Sequence, residues 1–154
     1  MGVDAATFYD ASHIAIIPMG YCYPGRRNGG DLPPRRECAR LWRGHLLAKL
    51  PRIELTLLIG PHAQRHFLGD WLGDRLGTRR KQSLTDTVKA WREFAAQYLP
   101  LPHPAARSTT WFQRNPWFEH ELLPILHDRI ESFSDQRPKS ARMAGPSGET
   151  LRHA

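Results

Sequence analysis

Cysteine is scarce in this sequence: only Cys22 and Cys38 occur in 154 residues. Two are too few for the multi-bridge framework that holds small secreted domains together. Long apolar runs are absent as well. The longest continuous stretches, such as residues 14–19, fall far short of the ~20 residues that cross a bilayer and suit buried strands instead. The opening Met1-Gly2-Val3-Asp4 has neither a basic n-region nor an apolar h-region, so nothing reads as a secretory leader. There is no internal repeat. The cytoplasm is the expected compartment, and a membrane is not an expected partner.

Acidic residues are also in deficit. Twenty-two Lys and Arg face 15 Asp and Glu, for a net charge of +7 and a pI of about 10.0. From Ser134 onward there are four Lys/Arg and two Asp/Glu, which leaves +5 on residues 1–133. The excess is therefore a property of the body of the chain. Such a balance favours a polyanion, because cations that neutralise phosphates release condensed counterions.

What is present has the rhythm of an α/β domain. An apolar, β-branched run at residues 13–19 reads as a buried strand. A turn-rich loop over residues 20–34 follows, carrying Arg26 and Arg27 on Gly- and Pro-rich backbone. A helix is predicted from about Pro34 to Leu50, with Cys38, Leu41, Trp42, Leu46 and Leu50 as its apolar face. Residues 53–59 form the second predicted strand, and Gly60-Pro61 turns into a helix over 63–68. Residues 69–82 read as a polar loop. Ser83-Leu84-Thr85-Asp86 resembles a capping box opening a helix to about Tyr98, with Val88, Trp91, Phe94 and Ala95 inward. A third strand over 99–102 runs into His103-Pro104-Ala105-Ala106-Arg107. Asn115-Pro116 starts the last helix, with Phe118, Leu122, Ile125, Leu126 and Ile130 as its buried stripe.

Alternating strands and helices predict a three-layer α/β/α domain with a short, mostly parallel sheet over residues 1–133. Residues 134–154, rich in Pro, Gly, Ser and basic residues, are expected to be a disordered tail. In such sheets ligands bind beyond the carboxyl ends of the strands. His103 stands there and could donate a hydrogen bond to an oxygen gaining negative charge. It could equally be a half-buried histidine satisfied by a carbonyl, and Arg107 either a phosphate contact or a solvated cation. Trp42, Trp91 and Trp117 fit helical core faces. Trp111 and Phe112, just past the His103 loop, could face a ligand and stack on a base, or could simply pack.

The segment Leu101-Pro102-His103-Pro104-Ala105-Ala106-Arg107 resembles the second signature motif of the uracil-DNA glycosylase superfamily. Leu57-Leu58-Ile59-Gly60-Pro61-His62-Ala63-Gln64 is similar to that superfamily's central strand and following helix start. Gly20-Tyr21-Cys22-Tyr23-Pro24-Gly25, with the later Glu37-Cys38, resembles its iron–sulfur-containing branch. The resemblance implies hydrolysis of the N-glycosidic bond of a uracil or related damaged base flipped from DNA. It puts the oxyanion role on His103, DNA contact on Pro104, Ala105, Ala106, Arg107, Arg26 and Arg27, and the base pocket at Met19, Gly20 and Tyr21. No Asn ends the 13–19 segment, where many members hold the uracil edge; Pro18 and Met19 stand there.

The family's Gly-rich turn that positions the attacking water is expected upstream of all these segments, with its strand. The chain therefore reads as incomplete at its N-terminus and impaired in catalysis, the alternative being a non-catalytic nucleic-acid-binding remnant. A monomer with DNA as its partner is expected. Cys22 and Cys38 would be two of the four thiolates of a [4Fe–4S] cluster only in a longer form. In the chain as given no cofactor is expected, Cys22 being a loop thiol and Cys38 an apolar helix residue.

Overall fold

The computed structural model describes residues 3–50, 52–76 and 83–135. In chain order its elements are α1 (Ala5–Tyr9), β1 (Arg26–Arg27), β2 (Gly30–Asp31), α2 (Arg36–Ala48), β3 (Thr56–Ile59), α3 (Gly60–Leu76) and α4 (Leu84–Lys89). They continue with α5 (Trp91–Phe94), β4 (Tyr98–Leu101), α6 (Thr109–Arg114) and α7 (Leu123–Asp135). A 3-10 turn occupies Ala106–Ser108, and a wider π turn occupies Phe118–Leu122. The fold is mixed α/β, consistent with an α/β/α arrangement. It divides into two compact units, Ile16–Thr109 and the described residues of Met1–Ala15 with Thr110–Ala154.

Within Ile16–Thr109, β3 and β4 pair in parallel, with Thr56 opposite Tyr98 and Ile59 opposite Leu101. Parallel neighbours need a long crossover, and α3, α4 and α5 supply it. Strands covered on both faces read as continuous apolar runs; Leu99-Pro100-Leu101 is such a run, buried throughout, whereas in Leu57-Leu58-Ile59 Leu58 is fully buried and Ile59 is 43% exposed. Leu58, Ala63, Leu68 and Phe94 form a core cluster, and Met19, Phe67, Ala90 and Tyr98 pack against it. The predicted capping box opens α4. Ser83 Oγ accepts from the Asp86 N–H at 3.1 Å, and the Asp86 carboxylate accepts from the Ser83 N–H at 3.4 Å. The cap satisfies donors that the first helical turn leaves unpaired. It sets the turn from which Val88, Trp91 and Phe94 are buried.

Three expectations are corrected here. Residues 14–19 join no ladder among the described residues, and Ile16 is 71% exposed. A β-branched run becomes a strand only where a neighbour offers hydrogen bonds; only Met19, at its end, reaches the core cluster. The helix predicted from Pro34 is present as α2, but its predicted apolar face is outward. Leu41 and Trp42 are 68% and 58% exposed, while Ala39 and Arg43 are buried. The polar anchorage of Arg43, described below, turns that side of α2 inward. The loop predicted at 69–82 is helical as far as Leu76, because α3 continues through Gly69. Each of its two interior glycines, Gly69 and Gly73, costs only about 1 kcal/mol relative to Ala. Residues 77–82 lie outside the described residues.

The other unit begins with α1, whose N-cap Asp4 accepts from the Thr7 N–H at 2.8 Å. The last helical segment starts as predicted beyond Asn115-Pro116. Asn115 donates from Nδ2 to the Trp111 carbonyl at 2.8 Å and accepts from Trp117 Nε1 at 3.1 Å. Leu123 N–H bonds back to the Phe118 carbonyl, five residues earlier. This wide turn directly precedes Pro124, which has no N–H to continue a regular ladder. Phe118, Leu122 and Leu126 are buried as predicted. Trp111 packs edge-on against Phe112, Trp117 and Phe118, with centroids 5.4–6.0 Å apart, so it is part of an aromatic cluster. Helix α7 runs to Asp135, past the predicted domain boundary at Ser134. The rest of the predicted tail lies outside the described residues.

Candidate active site

The carboxyl ends of β3 and β4 lie side by side, because the parallel register pairs their last residues, Ile59 and Leu101. Gly60 follows Ile59 at φ +81°, a conformation that costs a residue bearing a Cβ about 1–2 kcal/mol. Helix α3 starts directly from it. A Cβ built on Gly60 would meet His103 Cβ at 3.5 Å and Cδ2 at 3.8 Å. The His103 side chain therefore lies within contact reach of a methyl at position 60, and Gly60 leaves that space open beside it. His103 and Pro104 are exposed, while Pro102 behind them is buried.

One turn into α3, Gln64 is 3% exposed. Its Nε2 donates to the Leu101 carbonyl at 2.8 Å and to the Leu58 carbonyl at 3.3 Å. One carboxamide thus ties both strand ends. The loop after His103 closes on itself: the Ser108 N–H bonds the Ala105 carbonyl at 2.8 Å, and Thr109 Oγ1 donates to the Ala106 carbonyl at 2.7 Å. Ala105 is half-buried and Ala106 exposed, and Arg107 follows within the same 3-10 turn.

The segment Met19-Gly20-Tyr21 is held from behind by α2. Arg43 Nη2 donates to the Met19 carbonyl at 2.7 Å, and its Nη1 lies 3.0 Å from His66 Nε2. His66 is held below the usual histidine pKa of 6.5, first by desolvation and then by the Arg43 charge. The neutral ring then accepts at Nε2 from the guanidinium, with its proton on Nδ1. Gly20 lies under Pro34, where an added Cβ would stand 3.0 Å from Pro34 Cβ. Tyr21 Oη and Arg43 Nε are buried and make no hydrogen bond among the described residues.

Beyond this segment, Cys22 and Cys38 are joined in a disulfide with Cα atoms 6.3 Å apart, which staples the loop to α2. Arg26 and Arg27 form one strand of a small hairpin, β1–β2, that the sequence did not reveal within the predicted loop. Asn28 and Gly29, at φ 50° and 78°, make its turn. Both arginines are exposed. Arg26 donates to the Gly29 carbonyl at 3.3 Å and faces Asp31 at 3.6 Å.

The structure thus brings His103 together with Gly60 and, through the strand ends, with Gln64. It keeps Met19, Gly20 and Tyr21 on a separate support made by Arg43. Sequence reasoning missed Gln64, Arg43 and His66. The available signal was a polar residue at an inward position of each helix: Gln64 adjoins Ala63 on α3, and Arg43 is four residues from Ala39 on α2. The chemistry such an arrangement supports is anionic stabilisation: an imidazole donor, carried on a slim loop, beyond the ends of two strands.

A four-iron cluster does not fit the residues at hand. It needs four thiolates, whereas the only two cysteines are bonded to each other. Among the described residues no three His, Cys, Asp or Glu side chains group to hold a metal ion. No described helix is long and apolar enough to cross a membrane.

With this geometry in hand, comparison with known families is direct. The model of the uracil DNA glycosylase superfamily matches residues 1–127, and the chain belongs to that superfamily.

Proposed function

We propose that this chain binds DNA and acts on the N-glycosidic bond of a flipped uracil or related damaged base, with His103 as the group that stabilises the departing base. The observation that carries the reading is the setting of His103: exposed, beside Gly60, and beyond the carboxyl ends of two parallel strands. As the glycosidic bond breaks, negative charge grows on the uracil carbonyl oxygens. An imidazole N–H already aimed at such an oxygen stabilises the charge without reorganising at that moment.

Pro104, Ala105, Ala106 and Arg107 are the segment we assign to the minor groove. Flipping costs a few kcal/mol of stacking, which an inserted wedge and phosphate contacts offset. Arg26 and Arg27, exposed on a hairpin, are assigned to the phosphates. Met19, Gly20 and Tyr21 are assigned to the base pocket. The Arg43 anchor and the Cys22–Cys38 staple would keep that segment in one conformation. The protein is expected to act as a monomer.

A second reading is a nucleic-acid-binding protein without hydrolysis. It is favoured by the composition of the two strand-end loops. Residues 60–63 and 102–107 contain no Asp, Glu, Asn or Gln to hold an attacking water. His103 serves only the leaving-group side, so any hydrolysis by this chain is expected to be slow.

Both readings are tested together with a uracil-containing oligonucleotide. Affinity is measured at low and moderate salt, and excision is read as strand breakage after alkali. Binding that weakens with salt, with slow excision that requires uracil, supports the first reading. The same binding without excision supports the second. Binding indifferent to salt overturns the electrostatic basis of both.

A further inference from the structure

We propose that Gln64 is the positioning residue for His103, a role that rests on the functional reading of His103 given above. Gln64 contributes nothing to an apolar core, yet it is almost completely buried. Its two hydrogen bonds go to carbonyls near the ends of two different strands, that of Leu58, the penultimate residue of β3, and that of Leu101, the last residue of β4. The Leu101 carbonyl belongs to the peptide unit that joins Leu101 to Pro102. Pro102 has its φ locked near −65° by its ring, and His103 comes next. Fixing that one peptide plane therefore anchors the start of the link between β4 and the imidazole, a link in which Pro102 φ is already fixed. The second bond refers β3 to the same carboxamide, and Gly60, whose added Cβ would come into contact with the His103 side chain, is two residues beyond Leu58. The ends of the two strands that flank His103 thus share a single reference point.

A purely structural role would also satisfy two carbonyls. The two roles differ in what removal does. Loss of structural hydrogen bonds lowers stability and leaves the folded protein unchanged. Loss of positioning lowers the rate in the folded protein, because misplacing a reacting group by ~1 Å costs roughly 10²-fold.

The experiment compares the full chain with Gln64→Met, which keeps the length and removes both donors, and Gln64→Glu, which donates only when protonated. Thr87→Val is the control. It deletes a buried hydroxyl that donates to the Ser83 carbonyl, away from the strand ends. The measurements are the single-turnover rate of uracil excision, the affinity for the same oligonucleotide, and the His103 ring signals in NMR spectra of protein labelled at histidine.

Gln64→Met should slow excision by roughly 10²-fold, keep affinity within about threefold, and displace or broaden the His103 signals. Gln64→Glu should recover toward the wild-type rate as the pH falls and its buried carboxyl takes up the donor proton. Thr87→Val should lose stability but neither rate nor His103 signals. The proposal is overturned if Gln64→Met leaves the His103 signals in place, or if Thr87→Val slows excision as much. If the wild-type chain excises no uracil, the functional reading fails. The His103 signals of Gln64→Met then decide the positioning claim alone: displaced signals uphold it and unchanged ones overturn it.

Discussion

Replacing Gly60 with alanine isolates the backbone conformation that brings β3 into α3 beneath His103. The new methyl would stand 3.5 Å from His103 Cβ and 3.8 Å from Cδ2. These are ordinary contact distances for carbon atoms, so crowding contributes little. The cost comes from φ +81°, which penalises a Cβ by about 1–2 kcal/mol. For a chain of 154 residues, each kcal/mol moves Tm by about 2–4 °C, so the expected drop is about 2–8 °C. Gly44, in the middle of α2, provides the opposite sign. Among the described residues nothing lies within 4 Å of its would-be Cβ, and its φ is not positive. There Ala should gain about 0.5–1 kcal/mol from helix propensity and raise Tm by about 1–4 °C. Calorimetric melts of both variants beside the wild type carry the comparison. If Gly60→Ala melts with the wild type, or moves in the same direction as Gly44→Ala, the assigned turn is wrong.

Two further perturbations probe the supports of the site. Cys22→Ser should lower stability by about 3 kcal/mol, the effect of opening a loop of about this length, since the bridged residues are 16 apart. Reductant should bring the wild-type melt down to that of the variant; a wild-type melt indifferent to reductant would show that the staple contributes nothing. His66 should make stability fall with decreasing pH. Above its ordinary pKa of 6.5 it is neutral folded and unfolded; below 6.5 the unfolded chain takes up the proton first, because the folded value is lower. The loss therefore starts at 6.5 and levels off once the folded value is passed. His66→Gln should flatten that slope in urea titrations across the range, and an unchanged slope would remove His66 from the account.

Legibility in the sequence followed the kind of force at work. β4 was readable because burial along its length demands apolar residues throughout, β3 because its apolar run surrounds the buried Leu58, and α4 because Ser83 and Asp86 form a local cap. The placement of His103 at a strand end was readable for the same reason. The face of α2 was misread because periodicity registers apolar residues, whereas this helix is turned by one buried cation. Arg43 is drawn inward by the Met19 carbonyl and His66, partners 24 and 23 residues away. Residues 13–19 were misread because strand propensity cannot supply a neighbouring strand. Gln64 was legible only as part of a helix start, because its role exists only once the ends of β3 and β4 lie side by side and bring the Leu58 and Leu101 carbonyls, 6 and 37 residues away, to one carboxamide.

The central claim is that His103 stabilises the base leaving a uracil nucleotide. Its most direct test is single-turnover excision from a uracil-containing oligonucleotide, with protein in excess and long incubation, for the full chain and His103→Ala. The account predicts slow, uracil-dependent strand breakage that falls by roughly 10²–10³-fold in His103→Ala, the range for losing one preorganised oxyanion donor. Equal rates for the two proteins would contradict it.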